Sequence, residues 1–188
     1  YDIDILTRHE VTSIDHDAHT VQVVDLATGT EFTDRYDTLV LATGARSVVP
    51  PLPGVDAPGV FGVRNVGDAI AIRAWIRGRQ ATTAVVVGSG FIGLEMAEQL
   101  VAAGLQVTLV EKAPQVMPAL DADMAFRVAE ELGKHGVDVR PGVGVTAIHA
   151  SDRVTGVQLD DDEVLPADVV ILAVGVRPET TLARQIGV

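Results

Sequence analysis

The chain has 188 residues and a formal net charge of −12, from 14 Lys plus Arg against 26 Asp plus Glu. Phosphate neutralisation needs cations, so this balance excludes a general nucleic-acid binder. Hydrophobic residues make up 47% of the chain, yet the longest unbroken apolar run, 169–174, is far shorter than the ~18–20 residues of a membrane span. The chain contains no cysteine, so it holds no disulfide, thiolate metal site or dithiol redox centre. No basic segment followed by an apolar one opens the sequence, and no membrane partner is expected. It opens on Tyr1 rather than Met and is expected to be a piece of something longer.

Short strands are expected first: 3–6 as an apolar run, then 10–14 and 20–26, which alternate and are rich in β-branched residues. A turn at Thr28-Gly29 leads into 31–33, and 38–42 is a continuous apolar run expected to be a fully buried strand. Residues 50–59 carry four prolines and two glycines, which exclude regular structure and read as a linker. Asp68 is expected to cap a short helix with Ala69, Ile72, Trp75 and Ile76 on one face and a stop at Gly78, with Trp75 as its core anchor.

From Ala84 the pattern sharpens. Residues 84–87 form a buried strand, a glycine cluster follows at 88–93, and a helix carries Ile92, Met96 and Leu100 at helical spacing to Gly104. The next strand, 107–110, has Glu111 at its end. A second helix runs from about Asp123, with Met124, Val128 and Leu132, to Gly136. Short strands at 137–139, 143–148 and 154–159 and the run 169–174 complete the chain. Buried strands alternating with helices predict an α/β fold with a parallel sheet, and the later short strands predict an antiparallel β-meander attached to it.

The sequence repeats itself. Residues 37–46 match 168–177, each an Asp, an apolar run, Ala-x-Gly-x-Arg, and Val11-Thr12-Ser13-Ile14 matches Val145-Thr146-Ala147-Ile148. The second copy owns a strand–glycine loop–helix that the first lacks, so the chain is expected to begin in mid-domain.

In Gly88-Ser89-Gly90-Phe91-Ile92-Gly93 the first glycine allows the tight turn, the second a close approach of backbone to a pyrophosphate, and the third close packing of helix on strand. The helix N-terminus adds free N–H groups and a positive dipole end. Glu111, at the end of the second strand, is placed to accept both adenosine ribose hydroxyls and to repel a 2′-phosphate, which favours NADH over NADPH. Lys112 beside it softens that repulsion, and a solvated carboxylate at a strand end is the plainer alternative. Glu95 is expected in the first turn of the helix, where a carboxylate complements the dipole as readily as it serves a ligand. His9, His16, His19, His135 and His149 lack metal-ligand spacing, the acidic run 160–163 reads as a hairpin turn, and no metal site is expected.

With these motifs in place the sequence resembles the flavin-dependent pyridine nucleotide-disulfide oxidoreductases over essentially its whole length. In that family an FAD domain is interrupted by an NAD(P)H domain of similar fold, which the internal repeat matches. The resemblance implies a Rossmann-like three-layer NAD-binding domain at 67–188, and at 1–66 part of a similar FAD-binding domain with a Pro-rich linker. It implies that Gly88, Gly90, Phe91, Ile92, Gly93, Glu95, Glu111 and Gly175 serve NAD(H), with Gly175 near the nicotinamide and Phe91 as a lid over it; a core role for Phe91 is the alternative. It implies that Val11, Ala42, Thr43, Gly44 and Arg46 lie along FAD in the full-length protein. Residues 115–121 and 174–178 look most like the NADH oxidase, coenzyme A-disulfide reductase and persulfide reductase branch. The chain is therefore expected to be the NADH-binding portion of a cytoplasmic flavin oxidoreductase, homodimeric at full length and inactive in isolation. Its small-molecule electron acceptor would be a disulfide, persulfide, oxygen or peroxide. The alternative is a stand-alone nucleotide-binding or redox-sensing module without catalysis, but such a module has no use for half of a flavin domain.

Overall fold

A computed structural model describes residues 3–187. They form two compact units, one made of the chain through Ala45 with residues from Pro178 on, the other of residues 46–177.

In the first unit, β1 (His9–Asp15), β2 (Thr20–Asp25) and β3 (Glu31–Arg35) form an antiparallel meander in that order. Val11 pairs with Val23, which in turn pairs with Phe32, and a bulge interrupts β1 between Val11 and Ser13. Two sequence expectations fail here. Residues 3–6 form no strand, and Ile3 and Ile5 are 75% and 78% exposed. Residues 38–42 form none either, and Val40 is 80% exposed. An apolar run becomes a buried strand only where neighbours accept its backbone hydrogen bonds, and among the described residues neither run has such a neighbour. The repeat partner of 38–42 does have two.

The boundary between the units falls inside β4 (Ala45–Ser47) and, later, inside β13 (Val176–Pro178). The second unit then runs β5 (Val60–Gly62), α1 (Val66–Arg79), β6 (Thr83–Val87), α2 (Phe91–Ala102), β7 (Gln106–Glu111), α3 (Ala122–Lys134) and β8 (Val137–Pro141). After these come β9 (Val145–Ala150), β10 (Val154–Leu159), β11 (Val164–Pro166), β12 (Val169–Leu172) and β13 (Val176–Pro178). The helix α4 (Thr181–Gln185) returns to the first unit and lies against β1.

The second unit has three layers. A five-stranded parallel sheet, ordered β5-β12-β6-β7-β8, is its middle. On one face Ala84, Val86, Leu109 and Ile171 pack with Ile72, Ala97, Leu100 and Ala125 of the helices. On the other, Val85, Val87, Val110 and Val170 pack with Ile148, Val157 and Leu165 of the antiparallel sheet β11-β10-β9. Both faces of the central strands β6, β7 and β12 are covered, which is why these strands read as largely apolar, β-branched runs, whereas the edge strand β8 carries Asp138 and Arg140. The helices meet the sheet through the small residues Gly93, Ala97 and Ala125 together with Leu100 of the expected stripes, and Met96, Val128 and Leu132 pack, partly buried, against the same core. Ile92 and Met124 are 40% and 51% exposed, because small residues allow the closer approach.

Three further expectations are corrected. The cap of α1 is Asn65, whose side chain accepts the Asp68 N–H at 3.2 Å while Asp68 reaches back to the Asn65 N–H at 3.0 Å. Asp68 is thus the third residue of a capping box, and the helix passes Gly78 to end at Gln80 in the left-handed region. Residues 50–59 are irregular but not a free linker: Pro53 and Pro58 carbonyls accept the Ile148 and Val154 N–H groups at 2.8 and 2.9 Å. The boundary expected at 66/67 does not fall between compact units, because β5, missed in the sequence, hydrogen-bonds to β12 and draws 46–66 into the second unit.

At the lower end of the sheet, the Asp168 Oδ2 accepts the N–H and hydroxyl of both Thr82 and Thr83 at 2.9–3.1 Å. Trp75 Nε1 donates to the Asp168 carbonyl at 2.9 Å, and its ring meets Phe61 edge-on at 5.9 Å, the anchoring role expected of it. The upper end of the same strands is left open for the cleft.

Candidate functional site: the cleft at the upper end of the parallel sheet

Strand order reverses between β6 and β12: later strands run outward from β6 in one direction, while β12 and β5 lie in the other. The loops after β6 and β12 therefore diverge and leave a crevice, the place where open parallel sheets take ligands. A cleft of about 670 Å³ stands there, lined among others by Gly88, Gly90, Glu111, Lys112, Thr146 and Gly175.

The three glycines of the loop face different surroundings. Gly88 holds φ +99°, and a Cβ there would stand 2.5 Å from the Ala173 carbonyl oxygen, so this position fixes the approach of the β6 loop to the end of β12. A Cβ on Gly93 would stand 1.9 Å from the Gly88 carbonyl oxygen, so helix and loop touch backbone to backbone. Gly90 is different. Its φ is an ordinary −73°, and a Cβ there would meet nothing within 4 Å. Nothing in the protein itself demands glycine at Gly90, and the space beside its backbone is open. Gly90 also caps α2 with no side-chain hydrogen bond, leaving first-turn N–H groups for an anion.

Glu111 ends β7 with its carboxylate held on both oxygens. Oε2 accepts the Ser89 N–H at 2.8 Å and the Ser89 hydroxyl at 2.7 Å, and Oε1 accepts the Ala113 N–H at 2.8 Å. Burial opposes the charged form, but these donors together outweigh it and hold the Glu111 carboxyl below its ordinary value. It stands ionised at the cleft wall at neutral pH.

The remaining expected residues divide. Gly175, with φ +108°, lies at the cleft after β12, and its carbonyl accepts the Val48 N–H at 2.9 Å. Phe91 and Ile92 open α2; Phe91 is 76% exposed and is not a core residue. Glu95 is the fifth residue of α2, just past the first turn expected for it, and it lines the exposed groove between α2 and α3 instead of the cleft. In the first unit Val11 is half-exposed on β1, and Ala42, Thr43 and Gly44 form an irregular segment tied to Glu179. The Thr43 hydroxyl donates to the Glu179 carbonyl at 2.5 Å, and the Glu179 N–H donates to the Gly44 carbonyl at 2.9 Å. Arg46 is exposed on β4 and belongs to the second unit.

Sequence reasoning missed Ser89, Pro50, Leu52 and Asp160 at this cleft. The one available signal was a hydroxyl between the two glycines, where a residue with no polar side chain would fill the turn equally well. Among the described residues no helix is long and apolar enough to cross a membrane.

A family model described as pyridine nucleotide-disulphide oxidoreductase matches residues 1–188. An NADH oxidase of Methanocaldococcus jannaschii is 43% identical over 186 residues, covering 98% of this chain and 41% of that protein. The solved structure of an NAD-dependent persulfide reductase from A. fulgidus superposes with a TM-score of 0.92 at 40% identity, over 98% of this chain and 34% of that one. A water-forming NADH oxidase from Lactobacillus brevis, solved bound to NADH, gives 0.83 at 32% identity, over 94% and 39%. An engineered NADPH oxidase made from it by five substitutions, solved bound to NADPH, gives 0.82 at 32%, over 94% and 39%. The chain thus spans about two fifths or less of the length of these relatives.

Proposed function

Because the chain belongs to the pyridine nucleotide-disulphide oxidoreductase family, we propose that residues 67–188, with the strand and loop just before them, are the NADH-holding part of a flavin-dependent oxidoreductase. One observation carries this reading: at the switch point between β6 and β12, an open glycine cradle, an uncapped helix start and an ionised glutamate face a single cleft. The three match the pyrophosphate and the adenosine ribose of a dinucleotide.

In this reading the Gly90 backbone and the first N–H groups of α2 bind the pyrophosphate. Glu111 accepts a ribose hydroxyl on the side of Oε1 away from Ala113 and disfavours a 2′-phosphate there. The backbone at Gly175, free of a side chain, leaves space for the nicotinamide, and exposed Phe91 stands at the helix start to cover it. NADH bound here supplies a hydride, which the whole protein passes through FAD to a small-molecule acceptor such as a disulfide, persulfide, oxygen or peroxide. Support for Glu111 as the selecting residue comes from the engineered NADPH oxidase. Its five substitutions are spaced along its chain as Gly93, Glu111, Lys112, Ala113 and Pro118 are along this one.

The first unit fits FAD only along one flank. Val11 and residues 42–44 offer a strand edge and a turn, but among the described residues this unit has no glycine loop opening a helix to hold a pyrophosphate. The same reading takes the complete protein to be a cytoplasmic homodimer, with the family resemblance as its support.

The test compares the chain with the protein encoded by the complete gene. The chain is expected to be colourless, to enhance NADH fluorescence on binding, and to leave NADH unoxidised even with FAD added. The complete protein is expected to carry flavin and oxidise NADH. Flavin bound stoichiometrically by the chain, or a complete protein without flavin, overturns the reading.

A further inference from the structure

Ser89 stands between the first two glycines of the loop, fully buried. It is bonded on both sides. Its hydroxyl and its N–H both donate to Glu111 Oε2, at 2.7 and 2.8 Å. Its hydroxyl and its carbonyl both accept the Met117 N–H, at 3.2 and 3.1 Å. Met117 is itself buried and in the left-handed region, with φ 47°, so it is a fixed point rather than a loose one. Ser89 therefore ties the end of β7 and the segment after it to the glycine loop.

A carboxylate has about four acceptor positions. At Glu111 the two on Oε2 are filled by Ser89 and one on Oε1 by the Ala113 N–H, and the Lys112 N–H also favours the ionised form, so whatever is left for a ligand lies on Oε1. A free glutamate at a strand end would swing on its own side-chain bonds. Faced with a 2′-phosphate it would turn away and relieve the repulsion at little cost. Faced with a ribose it would first have to be ordered. A glutamate pinned by three donors does neither.

We propose that Ser89 is a positioning residue for cofactor selection: by pinning the Glu111 carboxylate it keeps that charge in the path of a 2′-phosphate and ready for a 2′-hydroxyl. The inference rests on the reading of Glu111 as the ribose-facing residue. Selection here works through the exclusion of NADPH as well as the attraction of NADH. An alanine in the loop would leave the glycine cradle and the helix start unchanged and remove only the hydroxyl link.

The experiment is a double-mutant cycle on cofactor preference, with NADH and NADPH dissociation constants measured by calorimetry. In Ser89→Ala the NADH-to-NADPH affinity ratio is expected to fall about tenfold, the scale of losing one hydrogen bond to a charged group. Part of the fall should come as a gain in NADPH affinity. In a Glu111→Ala background the same change is expected to move the ratio less than about twofold, because the residue being positioned is gone. Ser89→Cys keeps the shape with a weaker donor, should fall between, and carries the test if the alanine variant does not fold. A hydroxyl that only packs the loop would lower both affinities together and leave the ratio alone. A preference that survives Ser89→Ala, or an equal change in the Glu111→Ala background, overturns the role of Ser89. Absence of any NADH preference in the unmodified chain overturns the reading of Glu111 and the role of Ser89 with it.

Discussion

Gly90→Ala separates binding from folding at a single atom. An added methyl at Gly90 meets no protein atom within 4 Å, and φ −73° suits alanine as well as glycine. The folding cost is then only that of a poorer helix cap, about 0.5–1 kcal/mol, which moves the melting temperature of a unit this size by roughly 2–4 °C. The cleft loses more. The methyl fills the space that lets a pyrophosphate reach the loop backbone and the α2 N–H groups. One hydrogen bond to a charged group is worth about 1.5–3 kcal/mol, so losing one weakens NADH by roughly 10–100-fold. The same change at Gly93 would place a methyl 1.9 Å from the Gly88 carbonyl oxygen, and at Gly88 would combine φ +99° with a 2.5 Å contact to Ala173. Those two variants should lose the fold, with NADH binding lost as a consequence. The assay is NADH titration and calorimetric melting on the same preparations. Gly90→Ala that melts normally and binds NADH within about twofold of the unmodified chain would refute the cradle.

Glu111→Ala should narrow the gap between NADH and NADPH mainly by weakening NADH, read from both dissociation constants. Phe91→Ala should leave the melting temperature within about 1 °C, since the ring is 76% exposed, and should alter NADH turnover in the complete protein; a large melting loss with normal kinetics would return the ring to a packing role. Asp168→Ala should destabilise by about 2 kcal/mol or more, because it removes the acceptor shared by Thr82 and Thr83, while NADH affinity of the folded chain stays unchanged at the far end of the strands. The Glu111 and Asp168 carboxyls both lie below their ordinary values, Asp168 chiefly through the Thr82 N–H. Their contribution to stability is complete above the unfolded values of about 4.5 and 3.8 and is lost as pH falls through the lower folded ones. Melting temperature should therefore hold from neutral pH down to that range and drop beneath it.

The parts of this molecule legible in the sequence are those whose partners lie close along the chain. The β6–loop–α2–β7 segment reads correctly because its glycines, its buried strands and Glu111 follow one another within one strand–helix–strand unit. The hairpin at 160–163 reads correctly for the same reason. Residues 38–42 carry the same apolar pattern as β12 and yet form no strand, because pattern encodes what a strand would bury and not whether neighbouring strands are present to pair with it. β5 is three residues between proline-rich turns and α1, too short for periodicity, and only its ladder with β12 reveals it. Asp68 was mistaken for a cap because both members of a capping box are good capping residues. Glu95 falls just outside the first turn because α2 begins at Phe91, inside the glycine cluster. Ser89 is hidden because its partners stand at the end of the next strand, Glu111, and beyond it, Met117, and a serine among glycines reads as loop filler.

The central claim is that the cleft holds NADH through the glycine cradle and Glu111. Calorimetric titration of the unmodified chain with NADH and with NADPH tests it most directly. The account predicts one NADH per chain, bound more tightly than NADPH. Failure of NADH to bind, or equal affinity for the two nucleotides, would contradict it.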